Sequence, residues 1–279
     1  LWMFSPYIPL TQTEQLNGLV HAETRSDIIS SIDPQKIRQV PLEFAEWKAD
    51  KVIGELGNRY YVSYLNIQVL KDRLVWVAPL EFSNIWKWLQ FRTSPGYVVV
   101  DGENPQQEVQ KVTTRSLRYL ESAYFQNNIY RHVYQEFPQY RLREFSLEID
   151  EEGNPWWTIS AVVPTVWSSG EQIRGLILVN PETGAMQFFT LDAVPAWVDR
   201  VIPETIAEDY NVWFGAYQHG YFNTLFTQKD MHLPTTKFGE VDVFAVRSGS
   251  DLVWFTGHTS PSNADQSMVG YSTMNTRTG

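Results

Sequence analysis

Three stretches of this sequence carry one signature, and such a recurrence constrains the fold more than any local propensity does. Each has a tryptophan in a short strand-like run: Leu74-Val75-Trp76-Val77, Pro155-Trp156-Trp157-Thr158 and Leu252-Val253-Trp254-Phe255. A glycine follows 20, 18 or 16 residues after the tryptophan (Gly96, Gly175, Gly270). Five residues beyond each glycine stands an Asp or Asn: Asp101, Asn180 and Asn275. Before each Trp run lies a segment rich in β-branched and aromatic residues (60–69, 144–149, 241–246), joined to it by polar turn formers. The spacing predicts three antiparallel meanders. A fourth strand is expected after the Asn180 turn, where 185–191 is again apolar. Asp or Asn starts such a turn by accepting hydrogen bonds from backbone two residues on, and glycine supplies a positive φ.

A helical pattern precedes each meander. Apolar residues at 42, 45, 49, 52, 53 and 56 share one face of a helix over 41–56. Phe125, Ile129, Val133 and Phe137 do the same over 122–137, and Ile206, Tyr210, Trp213, Tyr217, Tyr221 and Leu225 over 203–226. A short piece at 195–200 stands before the third. The expected fold class is α+β: three repeated units, each a helix packed on a small antiparallel β-meander. The units divide as an N-terminal arm at 1–39, then 40–115, 116–192 and 193–279, the last C-terminally incomplete.

The order helix, Trp strand, then Gly175-Leu-Ile-Leu-Val-Asn180-Pro-Glu-Thr-Gly184 resembles the PepSY domain, whose units end on a comparable hairpin. Asn275-Thr-Arg-Thr-Gly279 is similar, and Asp101-Gly-Glu-Asn104 departs by lacking the Thr-Gly pair. The resemblance covers most of 40–279. It implies a bacterial extracytoplasmic module, often membrane-attached and in some proteins restraining a peptidase, with no catalytic residues to carry over. The anchor is expected in a segment outside this sequence. The apolar opening, Leu1 to Leu10, reads either as the tail of a membrane segment with Trp2 and Tyr7 at interface depth or as an arm on the core.

The net charge of −10 argues against a nucleic-acid partner, because phosphate binding needs a basic face. The absence of cysteine excludes disulfides and thiolate chemistry. His21, His132, His219, His232 and His258 are scattered without metal-ligand spacing, so neither a metal nor a cofactor is expected. Ser168-Ser169-Gly170 has no nearby histidine, and no nucleophile elbow or phosphate loop occurs. Glu148, Asp150, Glu151 and Glu152 read as a solvated hairpin turn, or as a weak calcium site.

Two aromatic segments are candidates for binding. The first is a loop over 78–95, where Trp86, Trp88 and Phe91, beside Lys87 and Arg92, form either a docking surface or joint core with the loop over 160–174. The second is Trp213, Tyr217 and Tyr221 at spacing four, with His219 and Asn223 off that line; it reads as a core helix face or as a ligand or peptide site. No catalytic residue is assigned. The expected function is a non-catalytic binding or regulatory module acting on a protein or peptide partner or a membrane interface. The alternatives are a structural scaffold of an envelope assembly and a hydrolase with an unrecognised site.

Overall fold

A computed structural model describes residues 8–23, 38–167, 169–237, 240–249, 251–261 and 267–279. Trp2 and Tyr7 lie outside the described residues. The elements are α1 (Ile8–Asn17), α2 (Leu42–Ile53), β1 (Tyr60–Val62), β2 (Asn66–Leu70), β3 (Arg73–Phe82), α3 (Ile85–Phe91), β4 (Tyr97–Asp101) and β5 (Gln110–Val112). There follow α4 (Ile129–Glu136), β6 (Arg141–Ile149), β7 (Pro155–Val166), β8 (Ser169–Val179), β9 (Met186–Phe189), α5 (Glu204–Ala216) and α6 (Gly220–Phe222). The chain closes with β10 (Leu233–Pro234), β11 (Thr236–Lys237), β12 (Glu240–Val241), β13 (Val243–Ser248), β14 (Asp251–Thr259) and β15 (Met268–Asn275). The protein is a mixed α and β fold, and its strands pair antiparallel. One sheet joins β1, β2, β3, β4 and β5, a second runs β6-β7-β8-β9, and a third joins β10, β13, β14 and β15.

The three tryptophans occupy the same register. Trp76 lies opposite Ile67 and Val100, Trp157 opposite Leu147 and Val179, and Trp254 opposite Ala245 and Met274. Each indole N–H donates to a carbonyl of the incoming chain: Val40 at 3.0 Å, Tyr119 at 2.8 Å and Ile202 at 2.9 Å. That stretch is tied in turn to the polar turn after the third strand. Gln39 and Val40 donate to Gly102 O, Arg118 and Tyr119 to Pro181 O, and Val201 and Ile202 to Thr276 O. The Oδ1 atoms of Asp101, Asn180 and Asn275 each accept the two backbone N–H groups at positions two and three beyond. The sequence signature therefore marks a closed set of hydrogen bonds, made three times.

The expected loops are largely strand. β3 continues through Ala78 to Phe82, α3 fills 85–91, and β7 and β8 form one long hairpin over 160–174. The strands accommodate their prolines. Pro79 falls in the gap between β1 and β2, where no ladder partner calls for its missing N–H, and Pro164 lies beyond the last β6 pair. The helices are shorter than their apolar patterns. The 41–56 pattern gives α2 and then a 3₁₀ stretch at Gly54–Arg59. The 122–137 pattern gives a 3₁₀ turn at Phe125–Asn127 and then α4, capped by Asn128 Oδ1 on Arg131 N at 3.1 Å. Residues 195–200 form no helix: one turn at 196–197 closes with Val198 N on Pro195 O, and the rest is irregular. The third helix stops at Ala216: Tyr217 and His219 leave helical geometry, and Gly220 follows them at φ +75°.

Alternation along β3 makes the first sheet two-sided. Leu74, Trp76, Ala78 and Leu80 join one core with α2, Trp254 and Val162, whereas Val75 and Val77 join another with Leu147, Trp157, Ile159 and Ile177. Polar groups stitch the same interior. Gln68 stands in for a strand residue, donating to Ile149 O at 2.9 Å and accepting Ile149 N at 2.8 Å. Arg200, 5% exposed, bonds Asn66 Oδ1 and Glu144 Oε1, with its guanidinium 4.8 Å from the centre of the Trp254 ring. Glu144 reaches it from a bulge in β6, with φ +48°.

The acidic turn of the sequence reading requires correction. Leu147 and Ile149 face the core, so Glu148 turns to the opposite face, where it is fully buried and meets Asp199. Its Oε2 accepts Asp199 N at 3.2 Å, and Asp150 organises the hairpin by accepting Glu152 N, Asn154 N and Trp156 Nε1. Only Glu151 and Glu152 of the four are solvated. Burial, and then the Asp199 charge, push Glu148 up to about 8; burial raises Asp199 to about 6 and Glu81 to about 7. The folded chain therefore holds protons that the unfolded chain, with ordinary carboxyls, releases. Through Glu148 alone, stability is expected to fall by about 3–4 kcal/mol as pH rises from 5 to 8, at roughly 1.4 kcal/mol per unit of displacement. Glu148→Gln, which mimics the neutral acid, is expected to flatten that slope. Equal slopes in wild type and variant, from denaturant midpoints at pH 5 and 8, would contradict this.

Candidate functional site

After α5 ends, residues 217–232 form a turn that packs against α1 through α6 and returns to α5 at His232. α6 leads into a single π-helical turn at Asn223–Thr227. Asn223, 5% exposed, holds the turn: Oδ1 accepts Lys229 N and Thr227 Oγ1, and Nδ2 donates to Lys229 O. Gln228 and Asp230 adopt positive φ to reverse the chain. His219 and Asp230, both exposed, meet at 3.0 Å across it. The outer face carries Phe222, Leu225 and Phe226, which are 68%, 53% and 75% exposed. The rings of Phe222 and Phe226 stack with centres 6.4 Å apart. Three adjacent large apolar side chains held outward on a pinned turn form a patch that water alone does not favour.

The base of the turn is polar. His232 N donates to Gly215 O, and the chain passes so close that a Cβ at position 215 would lie 1.9 Å from His232 O. His232 Nδ1 and His258 Nδ1 are 3.1 Å apart. Asn211 Nδ2 donates to Ala207 O, which leaves Oδ1 facing His258 Nε2 at 3.1 Å and the Ser272 hydroxyl. An amide oxygen only accepts, so His258 carries its proton on Nε2 and a lone pair on Nδ1. In that tautomer it cannot take a proton from Ser272, and the trio is not a nucleophile–base pair. Burial, and then His232, lower the His258 pKa to about 4; burial lowers that of His232. His258 is neutral at pH 7.

The candidate residues read from the sequence separate in space. Trp88 is buried, packed on Tyr124 and Phe125 and covered by Arg92, whose guanidinium lies 4.5 Å from the ring centre. Phe91 is half-buried against Tyr60 and Arg59. Trp86 alone projects, 75% exposed. No docking triad forms there, because alternate residues of the short α3 fall on opposite sides of the helix. Trp213 is buried with Leu16 and Val166, Tyr217 packs at the margin of that cluster, and Tyr221 meets Phe222 edge-on. The stripe of three does not continue as one helix face, since α5 stops at Ala216. The sequence reading missed Phe222 and Phe226, whose spacing with Leu225 is that of a helix surface. It also missed the His232–His258 pair, 26 residues apart, for which no local pattern exists.

No helix among the described residues is long and apolar enough to cross a membrane. Comparison of the chain with family models, with curated proteins and with solved structures gave no match.

Proposed function

We propose that this chain is a non-catalytic binding or regulatory module, built from three PepSY-like units on the extracytoplasmic side of a bacterial membrane. We propose further that it engages a protein partner through the 217–232 turn. The recurring Trp–carbonyl–turn hydrogen bonds support the three-unit reading. The observation that carries the binding role is the exposed Phe222–Leu225–Phe226 patch on a turn whose backbone is fixed by Asn223. A fixed apolar patch loses little conformational entropy on association.

A photo-crosslinking residue at Phe226, compared with one at the exposed Tyr134 of α4, tests this in the native membrane context. A discrete adduct at 226, absent at 134 and lost in a Phe222→Ser/Leu225→Ser background, is the expected result. The double variant is expected to unfold at the wild-type midpoint within about 0.5 kcal/mol, because these side chains are already in water. Adducts of equal pattern at both positions would overturn the assignment. Flotation of wild type but not variant with lipid vesicles would move the partner from protein to membrane.

A further inference from the structure

The three sheets are alike up to their third strand and differ after it. Val100, Val179 and Met274 stand opposite the three tryptophans. In the first sheet β5 pairs on the far side of β4, with Gln110 opposite Val99. In the second, β9 pairs on the far side of β8, with Gln187 opposite Leu178. The corresponding residue of the third sheet is Thr273, one before Met274, and among the described residues no strand pairs on the far side of β15. The backbone there is set for one. Hydrogen-bonded pairs alternate along an antiparallel ladder. Thr276 N donates to Leu252 O, so Met274 and Ser272 are the residues that bond β14. The N–H and C=O of Thr273 and the N–H of Asn275 therefore point outward. Asn180, in the place of Asn275, donates its N–H to Ala185 O, the bond that starts β9 on β8. Gly184 N and Gly279 N close the two turns alike, on Asn180 O at 2.8 Å and Asn275 O at 2.9 Å. The edge also lacks the usual guards against pairing: Met268–Asn275 holds neither a proline nor a charge, and Met268 and Val269 at its start are exposed.

We propose that the outer edge of β15 accepts an extended strand of a partner protein, laid antiparallel on Thr273 to Asn275 in the place that β9 takes on β8. Backbone hydrogen bonds hold such a strand, and side chains at alternate positions select it. β9 shows the chemistry that fits. Met186-Gln-Phe-Phe189 is uncharged, and Met186 and Phe188 pack against the core that holds Ile129 and Val133 of α4. Met186 stands opposite Val179. In the third sheet Met274 takes the place of Val179 and is half-buried at the margin of the core that holds Ile206 of α5. An apolar residue opposite Met274 extends that margin and removes both side chains from water. The partner segment is thus uncharged, with apolar residues at alternate positions. This edge is separate from the 217–232 turn, and the inference does not depend on the binding role of that turn.

A synthetic peptide of residues 185–191, the β9 segment itself, is the probe, and amide exchange at Thr273 and Asn275 of the wild-type protein is the readout. Without peptide both amides are expected to exchange as exposed ones do; with peptide both are expected to become protected, saturably. Gln187 and Phe188 of the peptide distinguish strand addition from adsorption. In the β9 register the Gln187 N–H faces the acceptor strand and the Phe188 N–H faces away. N-methylation at Gln187 is expected to weaken binding about 10-fold, the worth of one lost hydrogen bond, and N-methylation at Phe188 to leave it unchanged. The changes are made in the peptide, so the fold of the protein is not at stake. Equal losses from the two methylations would overturn the proposal, as would a peptide that leaves both amides unprotected. Protection of Thr273 and Asn275 before peptide is added would show the edge already paired and overturn it as well. Protection that rises with protein concentration alone would give the edge to a second copy instead of a partner.

Discussion

Replacing Trp157 with alanine is expected to cost about 3–5 kcal/mol, read as a fall in the denaturation midpoint at unchanged slope. The ring is 2% exposed and sits in the core formed with Val75, Val77, Leu147, Ile159 and Ile177. Its removal opens a cavity between two sheets, which neighbours on paired strands cannot close without breaking register. The indole also donates to Tyr119 O at 2.8 Å, and Tyr119 N reaches the Asn180 turn through Pro181 O. Alanine therefore strips a buried carbonyl of a partner as well. Trp157→Phe separates the two effects. It keeps much of the volume, loses the N–H, and is expected to cost about 1–3 kcal/mol. A midpoint unchanged in Trp157→Ala would show that the ring lies outside the core.

Arg200→Met is expected to cost a comparable amount, about 3–5 kcal/mol, because it breaks a buried ion pair on one side only. The guanidinium joins Asn66 from the first sheet to Glu144 from the second, over the Trp254 ring of the third. Burial lowers its pKa to about 10, which leaves it charged at neutral pH. Methionine fills much of the volume but leaves Glu144 with only Glu204 N and Ser146 Oγ. Lysine is not expected to restore stability, since one ammonium on a flexible stem does not reproduce the planar fork. Adding Glu144→Gln to Arg200→Met should recover part of the loss, because the stranded charge is removed; strictly additive losses would mean that the pair is not coupled.

These two residues differ in how far the sequence discloses them. Trp157 is legible, because its signature is local: a Trp strand and a glycine five residues before an Asp or Asn turn recur with Trp76 and Trp254. Arg200 is not, because its partners lie 134 and 56 residues away and follow from how the sheets meet. The same division runs through the rest of the molecule. The segments 78–95 and 160–174 read as loops in the sequence but are largely strand, with Pro79 and Pro164 standing where no ladder needs their N–H. Glu148 reads as part of a polar turn, and its burial beside Asp199, 51 residues away, follows from tertiary packing alone. In the candidate site, the peculiar aromatic segment was visible as a segment. The end of α5 at Ala216, after which Phe222 and Phe226 lie exposed while Trp213 stays buried, depends on the backbone conformation at Tyr217, His219 and Gly220.

The central claim is that one Trp–carbonyl–turn lock is used three times, and hydrogen exchange of the tryptophan indoles measures it directly. The Nε1 protons of Trp76, Trp157 and Trp254 are buried and bonded at 3.0, 2.8 and 2.9 Å, whereas Trp47, Trp86 and Trp167 are 56%, 75% and 81% exposed. The three locked protons are expected to exchange only through large-scale opening, orders of magnitude more slowly than those of Trp47, Trp86 and Trp167. Exchange of Trp76, Trp157 or Trp254 at the exposed rate would contradict the threefold lock.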